Sequence, residues 1–449
     1  MRGTRRLFKL ALPLTVVASF TAIVLPSSQS GAATHASSDD AIQHVIVVMQ
    51  SGHSFDNYFG TRAGVDGLPA KPACEPVAGS ASCVSPYHLS SDQARAGLSD
   101  THRVTSKAID GGKMDGFVSA QPNASIGSVA MGYFDRSDLP YYWSLADRFT
   151  LFDHFNASSE AGALANRVVA VTGQDDGITS SAPPPGGIAG TTVFDQLDTA
   201  GLSWKYYVQN YKGTGSASAS GEKIRAPVLD MPAFTSTPTD TARVVNSDQY
   251  FTDLTKGKLP AVSYVSGTVD SERSPQDPAL GEAYVQSIIN ALMQSPEWSH
   301  SALLLTYDDS GGWYDHAVPP TIGSTTLGIR VPAILVSPYA RPGFVDSTQT
   351  ETASIPALID QVFHLPTLTP QSPGVGSLMS GINLHQQPIS PAIEPSQATA
   401  LVRPDVSLIY LLYLGAFVVA LAIIGLAFWM RRRANRPQPD GVLSSEVSA

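Results

Sequence analysis

Two stretches of this 449-residue sequence bring together side chains that could do chemistry. One is Asp308-Asp309-Ser310-Gly311-Gly312-Trp313-Tyr314-Asp315-His316. Adjacent carboxylates followed by turn-forming glycines can converge on one hard or borderline cation, and His316 can add a ligand or a phosphate contact. Read plainly, the same run is a polar turn in which Asp308 or Asp309 caps a helix. The other stretch is Gln50-Ser51-Gly52-His53-Ser54-Phe55-Asp56-Asn57-Tyr58-Phe59-Gly60, by itself a loop that starts a helix near Phe55.

Both stretches follow apolar runs that read as buried strands. Ile42 to Met49 is apolar apart from Gln43 and His44, and shorter runs recur at Ala261–Val265, Ala302–Tyr307 and Val331–Val336. Such runs suit strands covered on both faces of a parallel sheet. Between them, Gly281–Ser295 places Val285, Ile288, Ile289 and Leu292 on one helical face. Strands alternating with helices predict an α/β fold with a doubly wound, mostly parallel sheet, whose ligands gather beyond the strands' carboxyl ends. Pro183–Gly187 and the Gly/Ser/Ala tract Lys212–Glu222 read as inserted, exposed loops.

The ends of the chain carry membrane signals. Residues 1–33 run from Arg2, Arg5, Arg6 and Lys9 through an apolar core, Leu10 to Leu25, to small residues, the order of a secretory signal peptide. Thr4 to Lys9 also approaches the twin-arginine export pattern, beside the ordinary secretory reading. Val406 to Met430 is 25 residues without a charge, about 37 Å as a helix and enough to span a bilayer. Arg431, Arg432, Arg433 and Arg436 follow, which keeps the tail, 431–449, cytoplasmic and the main domain, 34–365, outside. The Pro/Ser-rich segment 366–405 is expected to tether the two. Between residues 34 and 404 lie 20 basic and 35 acidic residues, a surface that repels nucleic acid. The two cysteines, Cys74 and Cys83, have eight residues between them and predict one local disulfide in an exported protein.

Taken in order, several blocks resemble the bacterial phosphoesterase family of phospholipases C and acid phosphatases. They are Ser54-Phe55-Asp56-Asn57-Tyr58-Phe59-Gly60-Thr61, Lys113-Met114-Asp115-Gly116-Phe117, Met131-Gly132-Tyr133, Asp138-Leu139-Pro140-Tyr141-Tyr142-Trp143 with Leu145-Ala146-Asp147, and Tyr307-Asp308-Asp309 with Gly311 to His316 and Pro319-Pro320. The resemblance runs from about Ile42 to Phe363. It implies an alkaline-phosphatase-like fold and a Ser or Thr that attacks phosphorus while metal ions lower its pKa and neutralise phosphoryl oxygens.

Carried over residue by residue, the resemblance puts Asp308 and Asp309 at the family's metal-binding acidic pair. It puts His102, in Ser99-Asp100-Thr101-His102, at a histidine facing the phosphate, and keeps His316 in the late block. Other positions differ. Ser51 and Gly52 stand where the family has metal-binding Glu and Asn, and Ala163 stands at the nucleophile, three residues before Asn166-Arg167. Arg273, after Asp270-Ser271-Glu272, and Thr352 replace histidines. Without an oxygen at Ala163 no covalent phosphoryl-enzyme forms there, and a lost nucleophile costs on the order of 10⁶ in rate. Asp308 and Asp309 alone make a weak site, and a cationic Arg273 opposes a metal while suiting phosphate. The expectation is a membrane-anchored, catalytically degenerate family member with divalent metal weak or absent. It would bind a phosphorylated small molecule or lipid headgroup through His102, Arg273 and His316. The alternative is an active phosphoric-ester hydrolase whose nucleophile has moved to Ser158 or Ser159, helped by Ser51 or His53. A purely adhesive surface module is a third class.

Overall fold

In the computed structural model, which describes residues 41–89, 97–213, 223–323, 325–370, 374–395 and 406–434, the apolar runs assemble into one eight-stranded sheet. Its strands are β1 (His44–Gln50), β2 (Thr150–Phe152), β3 (Trp204–Val208), β4 (Val244–Asn246), β5 (Val262–Ser266), β6 (Ser301–Tyr307), β7 (Ala333–Val336) and β8 (Val345–Asp346). Across the sheet they lie in the order β8-β2-β7-β6-β1-β5-β3-β4. β1 is central and pairs in parallel with both β5 and β6, and β3 and β4 extend the parallel half. Its residues Val45 to Val48 are wholly buried, which is why this strand lacks polar alternation.

The sheet is mostly parallel, as the alternation of strands and helices predicts, and β7 is the exception. β7 runs antiparallel to both β6 and β2. A parallel return needs a crossover, usually helical, and between β6 and β7 the described residues form only a short hairpin, Thr321–Ile322 with Thr325–Thr326. The chain therefore doubles back beside its neighbour.

Helices cover both faces. Tyr264 of β5 donates its hydroxyl to Ala170 O (2.7 Å) in α3 (Ala163–Thr172), which packs with α5 (Ser354–Val362). Tyr207 of β3, one residue out of phase with the Tyr206–Tyr264 pair, packs its ring on Tyr250 on the other side. There the longest helix of the domain, α4 (Pro278–Gln294), buries Val285, Ile288, Ile289 and Leu292, the face that the spacing predicts. Two shorter helices, α1 (Phe55–Phe59) and α2 (His102–Ile109), flank the carboxyl ends of the strands.

Cys74 and Cys83 form the local disulfide. Within the segment read as a tether, residues 374–395 lie along the domain: Leu378 is buried, Ile389 N–H donates to Pro338 O and Asn290 Nδ2 donates to Glu394 O. One apolar helix, α6 (Val406–Ala434), ends the described chain, and its window Tyr413–Arg431 has a mean hydropathy of 2.2 with no part buried. By length and composition it can cross a membrane. The signal-peptide segment 1–33, residues 396–405, most of the Gly/Ser/Ala tract and the tail beyond 434 lie outside the described residues.

Glu282 of α4 is buried and accepts the Tyr142 amide (2.9 Å), and burial pushes its carboxyl up to about 8. An unfolded Glu titrates near ~4.3. Between those values the folded state keeps a proton that the unfolded chain has lost, so stability falls as pH rises, by at most about 1.4 kcal/mol per pH unit. Glu282→Gln keeps the acceptor and removes the titration. Its urea midpoint is expected to decline less than the wild type's between pH 5 and pH 8.

Candidate functional site

Four parallel strands end level with one another. Gln50 is in register with Tyr307, Met49 with Ser266, and Ser266 with Val208. The loops leaving β1, β3, β5 and β6 supply Ser51 and Gly52, Gln209 and Asn210, Ser271 to Arg273, and Asp308 and Asp309. α3 brings its N-terminus to the same edge through Gly162 (φ 89°), with no side chain capping it.

At the bottom is a buried ion pair. Arg167 of α3 and Asp308 are both wholly buried, with Nε 2.7 Å from Oδ2. Arg167 also donates through Nη1 to Ser266 Oγ (2.9 Å) and through Nη2 to Met49 O (3.0 Å) and Gln50 O (3.1 Å). Asp308 Oδ2 further accepts from Ser51 Oγ (2.6 Å) and lies 3.4 Å from Arg225 Nη1, which also donates to Ser51 Oγ. Burial alone would raise the Asp308 carboxyl, but Arg167 and Arg225 hold it below the usual carboxylate range. Burial, then the neighbouring Arg167 charge, pulls the Arg225 guanidinium down to about 10.

A second layer lies nearer solvent. Arg273 is ion-paired with Asp100, and its Nη1 lies 3.9 Å from Asp309 Oδ2. Asp309 Oδ1 accepts the Gly311 amide (2.9 Å), whereas the buried Oδ2 has no hydrogen-bond partner among the described residues. Burial and the Asp100 and Asp308 charges raise this carboxyl well above the ordinary value. Gly52 (φ 75°) lies under Arg273: a Cβ there would sit 3.3 Å from Arg273 Cγ in a backbone conformation that disfavours side chains. Gly311 is tighter still, since its Cβ would meet Gly52 O at 2.0 Å.

Above these groups opens a cavity of about 1000 Å³, whose walls include Asp100, His102, Gly162, Ala163, Arg225 and Arg273. His102, Ala163 and Arg273 thus meet in one place, with Asp308 and Asp309 beneath. Ser158 and Ser159 do not line it. Ser158 Oγ accepts the Ala353 amide (3.0 Å), and Ser159 Oγ donates to Asp175 (3.1 Å). His53 is buried between the rings of Tyr58 and Trp313, with Nε2 2.9 Å from Glu272 O, and burial lowers it to about 4. Thr352 is wholly buried.

His316, expected beside His102 and Arg273, lies elsewhere. Its Nδ1 is 2.7 Å from Asp56 Oδ2 and its Nε2 3.3 Å from Asp66 Oδ1. Asp56, Asp315 and His316 offer ligand atoms close enough together to hold a metal ion. The Arg330 guanidinium already bridges Asp315 Oδ1 (2.9 Å) and Asp56 Oδ1 (3.3 Å) there. The position to which the resemblance assigns a metal, at Asp308 and Asp309, fits a divalent ion less well. Ser51 is spent on Asp308, Gly52 offers no side chain, and the Arg167, Arg225 and Arg273 guanidinium groups supply the positive charge.

Sequence reasoning gave no role to Arg225, Arg167, Asp100 or Glu272. Arg225 follows a low-complexity tract and carries no local signal. Arg167 belongs to the Asn-Arg pair used only to locate Ala163, and Asp100 to the block used only for His102. Glu272, beside Arg273, is a wholly buried carboxylate that accepts from Tyr58 (2.6 Å), Tyr142 (2.5 Å), Tyr307 (2.6 Å) and Gln50 Nε2 (2.9 Å), which fixes the loop carrying Arg273.

Guanidinium groups and a helix N-terminus beyond the carboxyl ends of parallel strands are features that can bind an oxyanion. The sequence agrees in kind: residues 42–366 match the sequence model of the Phosphoesterase family, and the chain belongs to it. Similar proteins include a non-hemolytic phospholipase C of Pseudomonas aeruginosa, 27% identical over 481 residues that cover 90% of this chain and 67% of that one. Phospholipase C A of Mycobacterium tuberculosis is 29% identical over 413 residues, covering 78% of each. Among solved structures, an alkaline phosphatase superfamily protein of Vibrio parahaemolyticus aligns over 73% of this chain and 67% of its own at 8% identity, with a TM-score of 0.40.

Removing Arg167 would leave Asp308 buried without its main counter-charge, a loss of about 3–5 kcal/mol. Arg167→Ala should therefore unfold at much lower urea concentration than wild type, whereas Arg103→Ala, an exposed change, should unfold at the wild-type midpoint.

Proposed function

We propose that the protein binds phosphoric esters in the cavity at the N-terminus of α3, on the outer side of a membrane in which α6 anchors it. The observation that carries this reading is that Arg225, Arg273 and the uncapped start of α3 all line one cavity. Guanidinium groups bind phosphoryl oxygens bidentately, and the positive end of the helix dipole adds to them. The headgroup of a phospholipid is the natural class of ester, since the relatives named above are phospholipases C.

Binding without turnover is the reading the residues favour. Ala163 has no oxygen at the helix start, and guanidinium groups neutralise charge there without lowering the pKa of an attacking group as a metal ion does. The names of the relatives favour the second reading, a phosphoric-ester hydrolase. Because Ser158 and Ser159 are engaged outside the cavity, hydrolysis here would draw its attacking oxygen from water rather than from either serine.

Calorimetry of the full chain with inorganic phosphate should detect binding that weakens about tenfold or more in Arg273→Ala. A chromogenic phosphomonoester and a choline phosphodiester should not turn over, with or without added divalent metals. Turnover abolished by Arg273→Ala would replace the first reading with the second, and absence of any phosphate binding would end both.

A further inference from the structure

The same cavity carries information about the rest of the ester, and this inference rests on the phosphate-binding reading above. A quaternary ammonium group is recognised by the faces of aromatic rings. Among the described residues that line the cavity, none is Phe, Tyr or Trp.

Instead the walls carry further positive charge. Beyond Arg225 and Arg273, the exposed Arg103 and Lys212 line the cavity and form no ion pair among the described residues. Two exposed cations with no ion-pair partner among the described residues repel a trimethylammonium group and attract a ligand whose only charges are negative. The uncharged polar walls are also specific in kind. Thr101, Thr179, Ser181 and Asn210 line the cavity with side chains that have no hydrogen-bond partner among the described residues. Hydroxyl and amide groups of this sort both donate and accept, as the hydroxyls of a polyol require. A choline methyl group would satisfy none of them.

We infer that the cavity selects a polyol phosphate, of the glycerol phosphate or inositol phosphate class, over phosphocholine. Arg273 and Arg225 take the phosphoryl group, Arg103 and Lys212 exclude an ammonium substituent, and the threonine, serine and asparagine side chains take the polyol hydroxyls. A lipid headgroup and a free sugar-alcohol phosphate share this chemistry.

The test uses the full chain in nanodiscs of neutral lipid. Inorganic phosphate, glycerol 1-phosphate, inositol 1-phosphate, phosphocholine and a soluble short-chain phosphatidylglycerol are titrated separately. Either polyol phosphate, or the short-chain lipid, should bind at least about tenfold more tightly than phosphocholine. Tighter binding of the short-chain lipid than of glycerol 1-phosphate identifies a membrane source, and the reverse order a soluble one. In Arg103→Ala/Lys212→Ala, two exposed changes, the preference over phosphocholine should shrink about tenfold. Phosphocholine binding as tightly as the polyol phosphates, with inorganic phosphate still bound, would overturn this inference alone, as would a preference unchanged in the double variant. No binding of inorganic phosphate would overturn the phosphate-binding reading and this one with it.

Discussion

Everything at this end of the molecule depends on the buried pair between Arg167 and Asp308. Moving two such charges out of water costs several kcal/mol per ion. The cost is offset because the guanidinium donors are spent on Asp308, Ser266 and the carbonyls of Met49 and Gln50. Those partners sit at the ends of β5, β1 and β6, so one side chain ties a helix to three adjacent strands. The N-terminus of α3 is thereby held over the sheet edge, and the cavity inherits its position.

The second layer of charge depends on the first. With Asp308 neutralised from below by Arg167 and from the side by Arg225, Arg273 is left to Asp100 and Asp309. Burial works against the Arg273 charge, yet the Asp309 and Asp100 carboxylates hold its pKa up. The positions that differ from the family pattern are linked sterically as well as electrostatically. Arg273 lies across Gly52, so the bare backbone at one position makes room for the long cation at another. Ser51 is small enough to hydrogen-bond Asp308 and Arg225 together, where a second carboxylate would add an unbalanced charge to a buried cluster. Three departures that look separate in sequence form one arrangement in space, with the Arg225 and Arg273 guanidinium groups beside Asp308 and Asp309.

The strands and the longest domain helix were legible because burial leaves its period in the sequence: Val45 to Val48 and the Val285–Leu292 face are apolar where the structure covers them. Antiparallel β7 was not legible, since a four-residue apolar strand reads the same in either direction and only the connection before it decides. In the site, His102, Ala163 and Arg273 could be brought together because each belongs to a block with recognisable neighbours. His316 could not be placed correctly by proximity in sequence. It is only seven residues from Asp309, yet the turn at Gly311 and Gly312 sends it to Asp56, Asp66 and Arg330. Arg225 was invisible for the opposite reason, because contacts over 174 and 83 residues give it its role.

The central claim is that side-chain guanidinium groups, not bound cations, supply the positive charge of this cavity. The most direct measurement is the affinity of the full chain for inorganic phosphate before and after exhaustive treatment with a metal chelator. The same dissociation constant under both conditions, with binding weakened in Arg273→Ala, is the predicted result. Affinity that vanishes with the chelator and returns on adding a divalent ion would contradict it.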